Sequence, residues 1–301
     1  MLDKANVEKL LSTLHEEAKK SPHQNEIDRV MELYKLYEGE DHLVSSLELA
    51  ERIKSQPEEK KYMTGFTDLD RILGGFRENQ LVVIAAPTKN GKTSFCIDLT
   101  VKMKETNPTW LPFEEGAEEL IRKFIERNEE PPLFYTPETV TGNTTTWVES
   151  KVIEAKAKFD SKIMFIDHLH FIVRLTGNNN MSLEIGKTMR ELKGIAKRWN
   201  VIIVLIAHLK KTEVDKHPTL DDIRDSSFIA QEADTAILLW REAYVTSTGV
   251  EITNNTNVSV QANRRTGKTG TVKLVFSDGK FLPRADDFEG PITEEYNDGW
   301  I

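Results

Sequence analysis

The chain has 301 residues, a single cysteine and a formal charge of −9 from 40 basic and 49 acidic side chains. That length supplies a sizeable core in one or two domains, and Cys96 alone forms no internal disulfide, which fits a reducing compartment. No apolar run approaches the ~18 residues of a membrane span, the charged N-terminus does not read as a secretory signal, and the net charge argues against a surface coated in basic side chains for nucleic acid.

The charge is unevenly spread. Residues 1–61 carry 10 basic and 14 acidic side chains, and residues 285–301 carry 6 acidic and no basic ones. The middle, 62–284, is therefore at +1. Three organisational units follow: a helical N-terminal segment with a linker (1–61), a central domain (62–284) and an acidic tail (285–301).

In the N-terminal segment, Val7, Leu10, Leu11 and Leu14 form the stripe of an amphipathic helix. Ile27, Val30, Met31, Leu33, Tyr34 and Tyr37 repeat it, and Leu43, Leu47, Leu49 and Ile53 suggest a third, less regular helix. Such stripes need a partner surface. Gln56–Lys61 reads as an exposed linker.

From Met63 the texture changes. Leu81–Ala86, Ile163–Ile166 and Val201–Ala207 read as buried strands, with helical patterns at Ser94–Glu105, Trp147–Phe159 and Leu183–Trp199 between them. Apolar strands alternating with helices predict an α/β fold, a mainly parallel twisted sheet covered on both faces. After Ala236–Trp240 the pattern becomes β-rich. Val258–Asn263 and Thr271–Phe276 flank a Gly- and Thr-rich turn and predict a hairpin.

The strongest chemical signal is Ala86-Pro87-Thr88-Lys89-Asn90-Gly91-Lys92-Thr93, followed by Ser94. It matches the P-loop pattern G-x-x-x-x-G-K-[ST] except for Ala86 at the first glycine, and it follows a strand and opens a helix. Loop and helix-terminal N–H groups there would cradle phosphates. Lys92 would reach the β- and γ-phosphates of ATP, and the Thr93 hydroxyl would hold Mg²⁺. Asp167 ends the run Ile163–Ile166 and is the expected second metal-binding residue, since ligands bind at the C-terminal ends of strands in such sheets. Glu114 closes the short run Trp110–Phe113, 22 residues after Lys92, and is a candidate general base. Glu115 and Glu138 are rivals for that role. His208 ends the strand Val201–Ala207, where it could sense a γ-phosphate.

This order of motifs resembles the RecA-like ATPase domain of DnaB-type replicative DNA helicases, and also the helicase half of phage primase-helicases. Thr64-Gly65-Phe66-Thr67-Asp68-Leu69-Asp70 is similar to the family's entry to the first strand. Phe165-Ile166-Asp167-His168-Leu169-His170 is similar to its metal-Asp strand. Asp222-Ile223-Arg224-Asp225-Ser226-Ser227 with Gln231-Glu232-Ala233-Asp234 resembles its most specific block. The resemblance implies a RecA-like P-loop NTPase that binds ATP and Mg²⁺, forms a homo-oligomer, a hexamer, and translocates on single-stranded DNA to open forked duplex in the cytoplasm of a cell or, for a viral protein, of its host. It favours Glu114 as catalytic Glu, places His208 at the γ-phosphate sensor position, and makes Arg265 the expected arginine finger, with Arg264 as the alternate. Asn263 stands where bacterial relatives often carry Lys. A separate N-terminal collar domain is not expected within 1–61.

The resemblance also implies DNA contacts from loops facing a channel. Arg174, in the Gly/Asn-rich loop after the Asp167 strand, and Lys210, Lys211, Lys216 and Arg224, after the sensor strand, are the expected nucleic-acid residues. Six copies of a few basic loops would track phosphates without a basic overall charge. The acidic tail, ending in Gly299-Trp300-Ile301, suits docking of a basic replication partner.

Overall fold

The computed structural model describes residues 44–127, 131–173, 181–209, 217–223, 227–247 and 249–284. The chain divides into two units, residues 1–58 and 59–301. In the first, helix α1 (Ser46–Ser55) realises the least regular of the N-terminal apolar patterns, and the Ser45 side chain caps it by accepting from the Glu48 amide. The two earlier helical stripes lie outside the described residues.

The second unit is built on an eight-stranded sheet of order β2-β3-β4-β1-β5-β6-β7-β8. Its strands are β1 (Leu81–Ala86), β2 (Thr109–Pro112), β3 (Ile163–Asp167), β4 (Ile202–His208), β5 (Thr235–Thr246), β6 (Gly249–Asn263), β7 (Gly270–Ser277) and β8 (Lys280–Pro283). The five strands from β2 to β5 in sheet order run parallel. β6, β7 and β8 add an antiparallel extension.

The sequence explains this order. β1 and β3 are apolar at nearly every position because both sheet faces are covered. In β1 the side chains alternate between two cores: Val82, Ile84 and Ala86 face one, Leu81, Val83 and Ala85 the other. The first core is closed by α2 (Thr67–Leu73), α3 (Lys92–Lys102) and α4 (Gly116–Arg127). The second is closed by α5 (Thr145–Phe159) and α6 (Met181–Trp199). A short α7 (Ser227–Glu232) precedes β5. The predicted hairpin is formed by the C-terminal part of β6 with β7, where Val258 pairs with Val272 and Ser259 with Thr271.

Two motifs of the sequence act as structural clamps. Asp70 Oδ1 accepts from the Thr64 amide and hydroxyl, both at 2.8 Å, and its Oδ2 accepts from the Gly65 amide at 3.1 Å. These bonds fix the entry into α2. Asp234 Oδ2 accepts from the Leu81 amide at 2.7 Å and pairs with Lys193, while Asp234 N donates to Leu81 O at 2.9 Å. The Arg264 amide donates to Asp234 O at 2.9 Å. One residue thus joins the starts of β1 and β5, helix α6 and the β6–β7 turn.

Candidate active site

β1 ends at Ala86, and the chain turns through Pro87–Asn90 into α3. Ala86 is buried within the strand. It is not among the residues with positive φ, so its methyl group is accommodated where the usual pattern has glycine. Gly91 differs. Its φ is +85°, and a Cβ there would stand 3.0 Å from Phe281 Cζ of β8. Glycine is required at that position for both reasons. Lys89 also has positive φ. The Asn90 Oδ1 accepts from the Arg241 amide at 2.9 Å, anchoring the loop to β5. Lys92, Thr93 and Ser94 form the first turn of α3, so the loop offers its N–H groups at a helix N-terminus.

Three elements deliver the remaining groups. Thr93 Oγ1 donates to Asp167 Oδ2 at 3.1 Å. Asp167 Oδ1 is buried and has no hydrogen-bond partner among the described residues. A hydroxyl beside a carboxylate with one uncommitted oxygen fits a divalent cation held by oxygen ligands. Burial raises the Asp167 carboxyl to about 6, with Glu114 adding to the rise and Lys92 and the Thr93 hydrogen bond opposing it.

Glu114 lies just beyond β2. Its amide and that of Phe113 both donate to Asp167 O, at 3.0 and 2.7 Å. Its Oε2 is 3.5 Å from Lys92 Nζ, 3.0 Å from His168 Nδ1 and 3.7 Å from His208 Nε2. Burial alone would raise this carboxyl, but Lys92, His168 and His208 together hold it below the usual range. Glu115 instead pairs with Lys123, and Glu138 is exposed beyond the bridge of Tyr135 to Thr109. Of the three candidate bases, Glu114 is the one beside the phosphate loop.

His208 ends β4, in register with Ala86. His168 was given no role by sequence pattern, yet it lies against both Glu114 and His208, its ring edge-on to His208 with centroids 4.5 Å apart. Burial and His208 push its imidazole down to about 4 against the pull of Glu114, so it is neutral near pH 7. Among the described residues, Glu114, His168 and His208 bring ligand-capable atoms within 4.8 Å of one another. The adjacent Lys92 ammonium competes with any cation for that carboxylate, which suits the cluster better to proton handling.

Arg265 lies elsewhere. Asn263 pairs with Thr235 at the start of β5, beside the start of β1 and so at the end of the strands opposite the phosphate loop. The two ends are separated by the length of β1, six residues or about 20 Å. Asn263 shapes the turn that follows: its Oδ1 accepts from the Arg265 and Thr266 amides at 3.2 and 3.3 Å, and its Nδ2 donates to Leu73 O at 3.3 Å. Arg264 folds back onto Gln231 O. Arg265 projects outward and pairs with Glu59 at 2.6 Å, a carboxylate that also lies 3.4 Å from Arg77.

Arg174, Lys210, Lys211, Lys216 and Arg224 lie outside the described residues, as does the acidic tail. No helix among the described residues is long and apolar enough to cross a membrane.

The family model of the DnaB-like helicase C-terminal domain matches residues 62–133 and 134–282. The replicative DNA helicase DnaC of Bacillus subtilis is 27% identical over 253 residues, covering 71% of this chain and 54% of that protein. The replicative DNA helicase DnaB of Geobacillus stearothermophilus is 26% identical over 249 residues with the same coverage. The chain thus spans about half the length of the curated relatives it matches. A solved DnaB-like replicative helicase, studied with its interactions with primase, shares the fold at a TM-score of 0.68 and 23% identity, over 93% of this chain and 78% of that one. The match over most of its length shows that the chain belongs to the family of DnaB-like helicase C-terminal domains.

Proposed function

We propose that the chain is the ATP-hydrolysing motor of a replicative DNA helicase. It assembles as a homo-oligomeric ring, moves along single-stranded DNA and opens forked duplex in the cytoplasm. The observation that supports this reading is the placement of Lys92 and Arg265 at opposite ends of the central strands of one sheet. An arginine that far from its own phosphate loop serves the loop of a neighbour, so hydrolysis depends on assembly.

The residues divide the work as follows. Backbone N–H groups of Thr88–Thr93 bind phosphate oxygens, and Lys92 binds the terminal phosphates. Thr93 and Asp167 would hold Mg²⁺, which supplies charge neutralisation at the transferring phosphoryl group when bound. Glu114 accepts the proton of the attacking water. His208, at the end of β4, reads the γ-phosphate, and Arg265 of the next subunit stabilises the developing charge. Arg174, Lys210, Lys211, Lys216 and Arg224 contact the DNA backbone, and the acidic tail docks a basic replication partner.

Strand displacement from a forked duplex, with ATP and Mg²⁺, tests the reading. Unwinding that Lys92→Ala abolishes supports it. Hydrolysis on single strands without any fork opening overturns it in favour of an ATP-switched scaffold, loader or filament. Hydrolysis indifferent to DNA, with no strand binding, points to an ATPase acting on protein partners.

A further inference from the structure

His168 is a buried residue at 8% exposure, directly after β3, that takes no part in the chemistry above. Its Nδ1 is 3.0 Å from Glu114 Oε2. An ionised carboxylate only accepts hydrogen bonds, so this nitrogen carries the proton and donates. The ring is held edge-on by Phe171, centroids 5.0 Å apart, and by His208 at 4.5 Å. Packing therefore fixes the plane of the ring, and the ring fixes the direction of its N–H. Glu114 is anchored twice to this short segment, through its amide to Asp167 O and through its carboxylate to His168.

The competing interaction is Lys92, 3.5 Å from the same carboxylate oxygen. An untethered Glu114 would settle onto that ammonium, which would quench the carboxylate as a base. We infer that His168 is a positioning residue: it tethers Glu114 Oε2 by a hydrogen bond, keeps the carboxylate from collapsing onto Lys92, and thereby joins the base and His208 into one packed unit. This deepens the proposed function and rests on Glu114 being the base.

DNA-stimulated ATP hydrolysis by the full chain tests it. His168→Phe keeps a ring and lacks the donor, and His168→Ala stands in if the phenyl ring disturbs folding. His168→Asn returns an N–H donor near the place of Nδ1. The donor-free variants are expected to lose ~10- to 100-fold in kcat while KM for ATP stays within about twofold, and His168→Asn is expected to restore most of the loss. In a Glu114→Gln background, His168→Phe adds no further loss, because the two residues act as a unit. Wild-type kcat in both donor-free variants, equal losses in Asn and Phe, or additive losses with Glu114→Gln would overturn the tether. Wild-type hydrolysis in Glu114→Gln alone removes the base reading itself, and that result is read without any His168 variant.

Discussion

Lys92 and Glu114 face each other across the end of the phosphate loop, ammonium and carboxylate 3.5 Å apart, though they come from a helix start and a strand end 22 residues apart in the chain. With the proposed roles of Glu114 as base and Lys92 as phosphate ligand, binding and chemistry separate in a measurable way. Glu114→Gln keeps shape and hydrogen-bonding capacity but cannot accept a proton. It is expected to bind nucleotide as the wild type does and to lose roughly 10²- to 10⁴-fold in kcat. Titration with a fluorescent nucleotide beside a phosphate-release assay checks both halves.

Gly91 is the position where the loop's backbone leaves no alternative. Gly91→Ala places a methyl group at φ +85° and 3.0 Å from Phe281 Cζ. The left-handed conformation alone costs about 1–2 kcal/mol for an L-residue. The variant is expected to unfold at lower denaturant concentration by about that much and to bind nucleotide weakly, whereas Gly267→Ala, with open space around its Cβ position, affects stability through φ alone.

Asp167 and His168 give opposed acid responses in the metal-free protein. The folded His168 is pushed down to about 4 against an ordinary value near 6.5, so the unfolded chain binds more protons between about pH 6.5 and 4 and stability falls as pH drops through that window. The folded Asp167 is raised to about 6 against about 3.9 unfolded, so the folded chain binds more protons between about pH 6 and 4 and stability rises on the same path. The two contributions oppose each other. Asp167→Asn is expected to steepen the loss of stability on acidification, and His168→Asn to reverse its sign at these sites. Denaturant midpoints measured from pH 7 to 4.5 without divalent cations decide it.

The placement of Lys92 and Arg265 at opposite ends of the central strands and the proposed trans role of Arg265 predict complementation. Lys92→Ala and Arg265→Ala are each expected to lose at least ~10³-fold in hydrolysis, the magnitude of a trans arginine. Mixed in equal amounts, the two inactive proteins are expected to regain activity, because some interfaces then pair an intact loop with an intact arginine. A mixture as silent as its components would place both residues in one subunit's site.

The strands β1, β3 and β4 were legible in the sequence because each is a run of apolar residues that only a doubly covered sheet explains. Helices α3, α5 and α6 were legible within two to three residues at their ends, although α3 stops at Lys102 and a short 3-10 turn takes up Lys104–Thr106. Helix α4 escaped the pattern because only Leu120 and Phe124 of its twelve residues are buried, the rest of that stretch being rich in charge. β2 is four residues and showed only as the short apolar run before Glu114, and β8, also four residues, is too short to announce itself. The phosphate loop, Thr93, Asp167 and Glu114, which the structure brings together, were singled out because each lies at the end of an apolar run. His168 was not, since its closeness to Glu114 arises from the pairing of β2 with β3 and has no trace in linear spacing.

Asn263 shapes the turn that carries Arg265 through hydrogen-bond geometry. Its amide spans the Arg265 and Thr266 amides on one side and the end of α2 on the other. With that turn at one end of the central strands and the phosphate loop at the other, each subunit of the proposed assembly is a link with two unlike ends. A linear row of such links would leave one loop unserved and one arginine idle, however long it grew. Closing the row would remove both defects at once, so the last contact made would complete a catalytic site as well as an interface.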